Sequence, residues 1–193
     1  FREVNNDFLI GANRTFGKIG VNVTAGGNQL YRRSDVNSTL ATNFVVRDLY
    51  TPQNAQLKDP VYSLNQRRVN SLYGQLEVSY NDYLFVNATV RNDWFSTLAP
   101  GSRSVLYPSI TGSFVFSQAF DALPSWLSFG KLRAAYAEVG SDTDVGPYSS
   151  SLFYGVNGNL FQGQPIGFIT SGTVPNTTLK PMRVAETEVG IEL

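Results

Sequence analysis

Histidine and cysteine are both absent from the 193 residues. That removes imidazole and thiolate nucleophiles, His- and Cys-based metal sites, and disulfides. Carboxylates, amines, guanidines, hydroxyls and aromatic rings are left to do any chemistry. Asp142 and Asp144 place hard oxygen ligands at alternate positions, as a calcium ion would want. The stretch lacks the glycine and distal glutamate of an EF-hand loop, so a solvated turn is expected and no metal is assigned. Glu186, Glu188 and Glu192 share one strand face and look like paired catalytic carboxylates. No apolar pocket is at hand to split their pKa values, so they more simply line a wet surface. Lys131 and Arg133 form a similar polar stripe and could pair with those glutamates across a neighbouring strand. Trp94, Tyr148, Phe153 and Tyr154 could stack on a sugar or other ligand; packing within the loops explains them equally well. No catalytic residue and no cofactor is assigned, and no enzyme is expected.

Composition narrows the partners. Lysine plus arginine equals aspartate plus glutamate, 15 against 15, so no basic excess exists to neutralise a phosphate backbone. Nucleic acid is therefore not an expected partner. No apolar run reaches the roughly 18–20 residues of a membrane helix. Barrel strands can cross a membrane with only alternate residues apolar, so a membrane stays open. The chain starts in mid-pattern at Phe1 and stops inside a strand pattern at Leu193, which leads us to expect a piece of a longer protein.

The elements that would position these groups follow a period of two. In 71–80, Leu72, Gly74, Leu76, Val78 and Tyr80 alternate with Ser71, Tyr73, Gln75, Glu77 and Ser79. In 84–91, Leu84, Val86, Ala88 and Val90 alternate with Phe85, Asn87, Thr89 and Arg91. Such alternation is a strand with two different faces. Asn81 and Asp82 between the runs suit a tight hairpin turn. Further strands are expected at 7–16, 19–26, 107–117, 127–139 and 183–193. Short turns fall at 17–18, 81–82 and 118–126. Residues 28–70 and 140–180 read as long loops, with a shorter one at 94–106.

Seven strands with no good helix make an all-β, antiparallel chain. Long connections at one end and short ones at the other are a mark of a transmembrane barrel. Leu76, Val86, Phe114 and Leu132 would then face lipid, and Gln75, Thr89, Ser113 and Arg133 a lumen. Aromatics near strand ends, namely Tyr80, Tyr83, Phe120 and Trp126 at one side and Trp94, Phe95 and Tyr107 at the other, would form interfacial girdles. A soluble or cell-surface β-sandwich that binds carbohydrate is the alternative, and an enzyme on a β scaffold is a weaker one.

Three segments, in this order, carry a resemblance: RNDWFSTLAPGSRSVLYPSITGSFVFS at 91–117, WLSFGKLRAAYAEVGSDTD at 126–144 and LKPMRVAETEVGIEL at 179–193. Together they resemble the barrel region of the SusC/RagA family of TonB-linked outer-membrane transporters of Bacteroidetes-type bacteria. Met182 stands where the family usually has glutamate, and Asp142 and Asp144 occupy the place of its Gly-Asn loop. The resemblance implies that 1–193 is part of a barrel of about 22 strands, with the plug and the remaining strands elsewhere. It also implies residence in the outer membrane and import of glycan or peptide nutrients, with a SusD-like surface lipoprotein as lid. The TonB complex would engage parts outside these residues.

Overall fold

The structure is a computed structural model that describes residues 1–193 apart from 121–123, 125–126 and 143–145. Its strands are β1 (Arg2–Phe16), β2 (Ile19–Phe44), β3 (Ala55–Tyr80), β4 (Leu84–Phe95), β5 (Ser104–Phe114) and β6 (Lys131–Ser141), followed by β7 (Tyr154–Phe161), β8 (Gln164–Ile169) and β9 (Met182–Glu192). β1 to β6 lie side by side in chain order, β9 returns beside β6, and all neighbours are antiparallel. β7 and β8 pair only with each other. The seven-stranded sheet is open, with β1 and β9 at its edges.

Register puts like with like. Val23, Leu76, Ala88, Ile110 and Tyr136 form one cross-strand row, and Val21, Val78, Val86, Gly112, Ala134 and Val189 form the next. One residue over, Thr24, Gln75, Thr89, Ser109 and Ala137 make a row on the opposite face. The expected facing of Leu76, Val86, Phe114 and Leu132 against Gln75, Thr89, Ser113 and Arg133 is the facing that this register gives. No second sheet packs on the apolar face among the described residues, which is why Leu76 and Leu132 stay 44% and 45% exposed. A sandwich would have covered them. The β-sandwich alternative, soluble or cell-surface, finds no second sheet on this face among the described residues.

The apolar face is a band of limited height. In β2 it covers 19–27, about the nine to eleven residues that a tilted strand needs to cross a membrane. The next outward row is Asn6, Gln29, Asn70, Trp94 and Ser104, and is mostly polar. The other end is closed by tight turns: Gly17 at φ 62°, then Asn81 and Asp82 at φ 49° and 58°. Both central positions of the Tyr80–Tyr83 turn are left-handed and the Tyr83 N–H donates to the Tyr80 carbonyl at 3.2 Å, but Tyr80 pairs with Leu84, so three residues rather than the expected two separate the strands. Rings gather there edge to face, Tyr80 on Tyr83 at 5.5 Å, Tyr83 on Phe114 at 6.0 Å and Phe114 on Phe120 at 6.2 Å. Trp126 lies outside the described residues.

The expected long loop at 28–70 is instead the outer half of a β2–β3 hairpin, connected through 45–54 with a single 3₁₀ turn at Pro52–Asn54. Past the band both faces meet water, so the apolar period that betrays a strand is lost while the backbone ladder continues. Likewise β4 and β5 reach into the expected 94–106 loop, β6 starts at Lys131 rather than 127, and part of 140–180 folds as β7–β8. A short helix, α1 (Phe116–Ala119), follows β5.

Outside the band the hairpin is pinned by Asp35. Arg33 reaches it with two hydrogen bonds, at 2.8 and 2.9 Å, and the Tyr62 hydroxyl donates from the facing strand at 2.9 Å. Arg33 first, then Tyr62, hold the Asp35 carboxyl down at about 2 from an ordinary 3.8. A depressed carboxylate stabilises the fold above its unfolded value and stops doing so as pH falls through the folded one. The Tyr62 ring signals in NMR spectra should therefore stay unchanged on acidification to 3.8 and shift only on approach to about 2. A midpoint at the ordinary aspartate value would show that the three groups do not hold together in solution.

Candidate functional site

The polar face just below the band's outer edge carries a layered cluster. Gly26 has no side chain, and a Cβ there would lie 2.6 Å from the Tyr73 ring. Tyr73 therefore lies flat against β2, and the Arg91 guanidinium stacks over it at 5.8 Å. Arg91 also donates to Asp93 at 2.8 Å and to the Ser71 hydroxyl at 2.9 Å. Toward the short turns, Arg133 meets Glu188 at 2.8 Å and Lys131 meets Glu192 at 3.2 Å. The expected pairing of this stripe with the glutamates across a neighbouring strand is thus present. These pairs are solvent-exposed and contribute about 0–1 kcal/mol each. They shape a wet surface and make no catalytic pair.

At the outer edge the polar face acquires a small core. Val69, Phe95, Leu98, Val105 and Tyr107 are buried together, with Leu30 against them. Leu98 comes from the β4–β5 connection, which folds back over the face. Phe95 and Tyr107 were expected in an outer aromatic girdle; the register puts both on the polar face, inside this core. Only Trp94 of that set lies on the apolar side, beside Asn70.

Asp142 closes the site. It was expected in a solvated turn; instead its side chain is fully buried. Arg67 of β3 engages it with Nε at 3.1 Å and with a terminal guanidinium nitrogen, and the Thr97 hydroxyl donates at 2.6 Å. Three segments distant in sequence therefore meet on one carboxylate: β3, the β4–β5 connection and the end of β6. With its oxygens so used, Asp142 is an anchor rather than a calcium ligand. Asp144 lies outside the described residues. Nothing in the local sequence pointed to Arg67 or Thr97, because their partner is 75 and 45 positions away.

Beyond the anchor, Tyr148 and Phe153 pack edge to face at 6.2 Å, and Tyr154 opens β7 with 74% of its surface exposed. The structure brings Tyr148 and Phe153 together; Tyr154 is exposed beside Phe153 in the chain, and Trp94 lies on β4. A cleft of about 240 Å³ lies between Tyr148 and the β3 residues Gln66, Arg67 and Arg68. Among the described residues no grouping of carboxylates could hold a metal ion.

The family model described as TonB dependent receptor-like, β-barrel, matches residues 2–193. The fold is similar to that of the RagAB peptide importer in its closed-closed state, with a TM-score of 0.80 at 19% identity, covering 98% of this chain and 21% of that one. The open-open state of the same importer gives 0.79 at 20% identity, with the same coverage of both chains. The chain thus spans about a fifth of the length of these structures. No curated protein matches it.

Removing Arg67 leaves a buried, unpaired carboxylate, whereas removing the Asp142 charge leaves an arginine that still touches water. Arg67→Met should therefore cost about 3–5 kcal/mol, and Asp142→Asn clearly less. Denaturant unfolding of the detergent-solubilised protein measures both; equal costs would mean that Asp142 is not buried as described.

Proposed function

The chain belongs to the TonB-dependent receptor β-barrel family, whose members are transporters rather than enzymes, and from that premise we propose that it forms part of the wall of an outer-membrane nutrient importer. The observation that carries this reading is the apolar band, about nine residues high in β2, running across the sheet and broken at its edge strands by Arg14 of β1 and Thr187 of β9, with a polar face behind it. Such a face is stable against lipid and would aggregate in water. The cargo is a peptide or glycan fragment, and a SusD-like surface lipoprotein closes the mouth. The similarity in fold to the RagAB peptide importer supports a peptide more than a glycan. TonB supplies the drive through parts of the protein outside these residues. The side bearing the β2–β3 hairpin and the β7–β8 hairpin is extracellular, since bacterial barrels keep their long connections there.

Two measurements test the proposal. An arginine at Val86, mid-band on the apolar face, should destabilise the full-length barrel by about 2–4 kcal/mol, and one at Thr89 by far less; equal tolerance would remove the lipid assignment. Deleting 150–175 should impair cargo uptake or lipoprotein association while the protein still assembles in the outer membrane. Unchanged uptake and association would make that connection a mere spacer.

A further inference from the structure

β3 outruns β4. The two part at Val69 and Phe95, while β3 begins at Ala55. On one side this overhang is paired with β2. On the side toward β4 it is a bare edge: among the described residues no backbone hydrogen bond joins 56–67 to another segment there. The last contact fixes which groups point outward. The Ser96 N–H donates to the Arg68 carbonyl at 2.9 Å, and the Arg68 N–H donates to the Ser96 hydroxyl at 2.8 Å. With a period of two, Gln66, Leu64 and Tyr62 aim their N–H and C=O groups the same way. Pro60 comes next in that series. Proline has no N–H and is confined in sheets to positions that need none, so its place agrees with an unpaired edge. Pro60 and Lys58 also blunt the edge toward the hairpin tip. Tyr62, Leu64 and Gln66 remain open.

Alternating donors and acceptors, repeating at roughly 6.6–6.8 Å, match an extended peptide backbone; a sugar ring has no such series. At the foot of the edge lies the cleft beside Tyr148. Arg67 there is committed to Asp142. Arg68 stacks on the Tyr31 ring at 5.5 Å and meets no carboxylate among the described residues. We propose that the edge of β3 at 62–66 receives an extended acidic peptide by strand addition, with a carboxylate of that peptide on Arg68. This rests on the importer reading and narrows its cargo.

The test uses the full-length protein in detergent and two probes: a hexapeptide of one aspartate followed by alternating valine and threonine, and the same peptide N-methylated at alternate residues. The first should bind and slow hydrogen exchange at 62–66; the second should not. Leu64→Pro should abolish binding, yet it removes an N–H that β2 does not use. Arg68→Gln should weaken binding about two- to fivefold. Equal binding of both probes, protection located elsewhere, or an edge already protected by the surface lipoprotein or a second copy would each overturn the proposal. Cells importing the first peptide equally well through the Leu64→Pro variant would refute the edge while sparing the importer; cells that import it through neither form would count against import instead.

Discussion

The ladder of backbone hydrogen bonds between neighbouring strands holds this wall together. It satisfies each strand's N–H and C=O groups sideways, within the plane of the sheet. Side chains are then free to suit two unlike media, one on each face. A helical wall could not do this with alternate residues, and a sandwich would spend one face on its own core. Leu76 and Gln75 sit one position apart and meet opposite conditions, because nothing but a single layer of backbone separates them. The same ladder explains why the sheet stays a strand where its side chains no longer say so, in the outer half of the β2–β3 hairpin.

Where the band ends, polar contacts take over from the apolar alternation. Asp35, Arg33 and Tyr62 tie the two strands of the hairpin at their surface, in water. Asp142, Arg67 and Thr97 do the opposite and bury a charge to join three segments. The first arrangement is local and weak. The second is costly to break because its carboxylate has no water to fall back on. That difference places rigidity at the base of the side bearing the long hairpin, against the Val69–Phe95–Leu98 core, and leaves the hairpin tip and β7–β8 without such an anchor among the described residues.

The strands of the band were legible because an apolar and a polar face alternate in 71–80 and 84–91, and Asn81 and Asp82 between them supply the left-handed angles of the turn. The outer hairpin was not legible: Val36 pairs with Ser63, Leu40 with Asp59 and Asn37 with Tyr62, so apolar and polar side chains mix on both faces. A loop and a solvated strand then read alike. Of the candidate site, the Arg133–Glu188 pair was readable from a polar stripe on each of two neighbouring strands. The role of Asp142 was not, since a carboxylate followed by a polar loop looks solvated until Arg67 and Thr97 are brought to it. Phe95 misled for a related reason: its place beside Trp94 suggests an interfacial belt, but adjacent strand residues point to opposite faces.

Unequal strand length follows from the same geometry. The register sets one end of β2 to β6 at the same level, with Ile19, Tyr80, Leu84, Phe114 and Leu132 in one row, so strands of different length can differ only at the other end. β2 and β3, at 26 residues each, project past β4, at 12, and past β5 and β6, at 11. Each step down in height leaves an unpaired edge on the taller neighbour, on the outer side and nowhere else. Edges are hazards in proportion to how long and flat they are. Here Pro60 and Lys58 shorten the usable stretch, and the Ser96–Arg68 contacts seal its base. What is left is too short to template aggregation along its length and long enough to pair with one strand. A wall that is flush on one side thus keeps its unpaired backbone groups, as a matter of chain geometry, on the other.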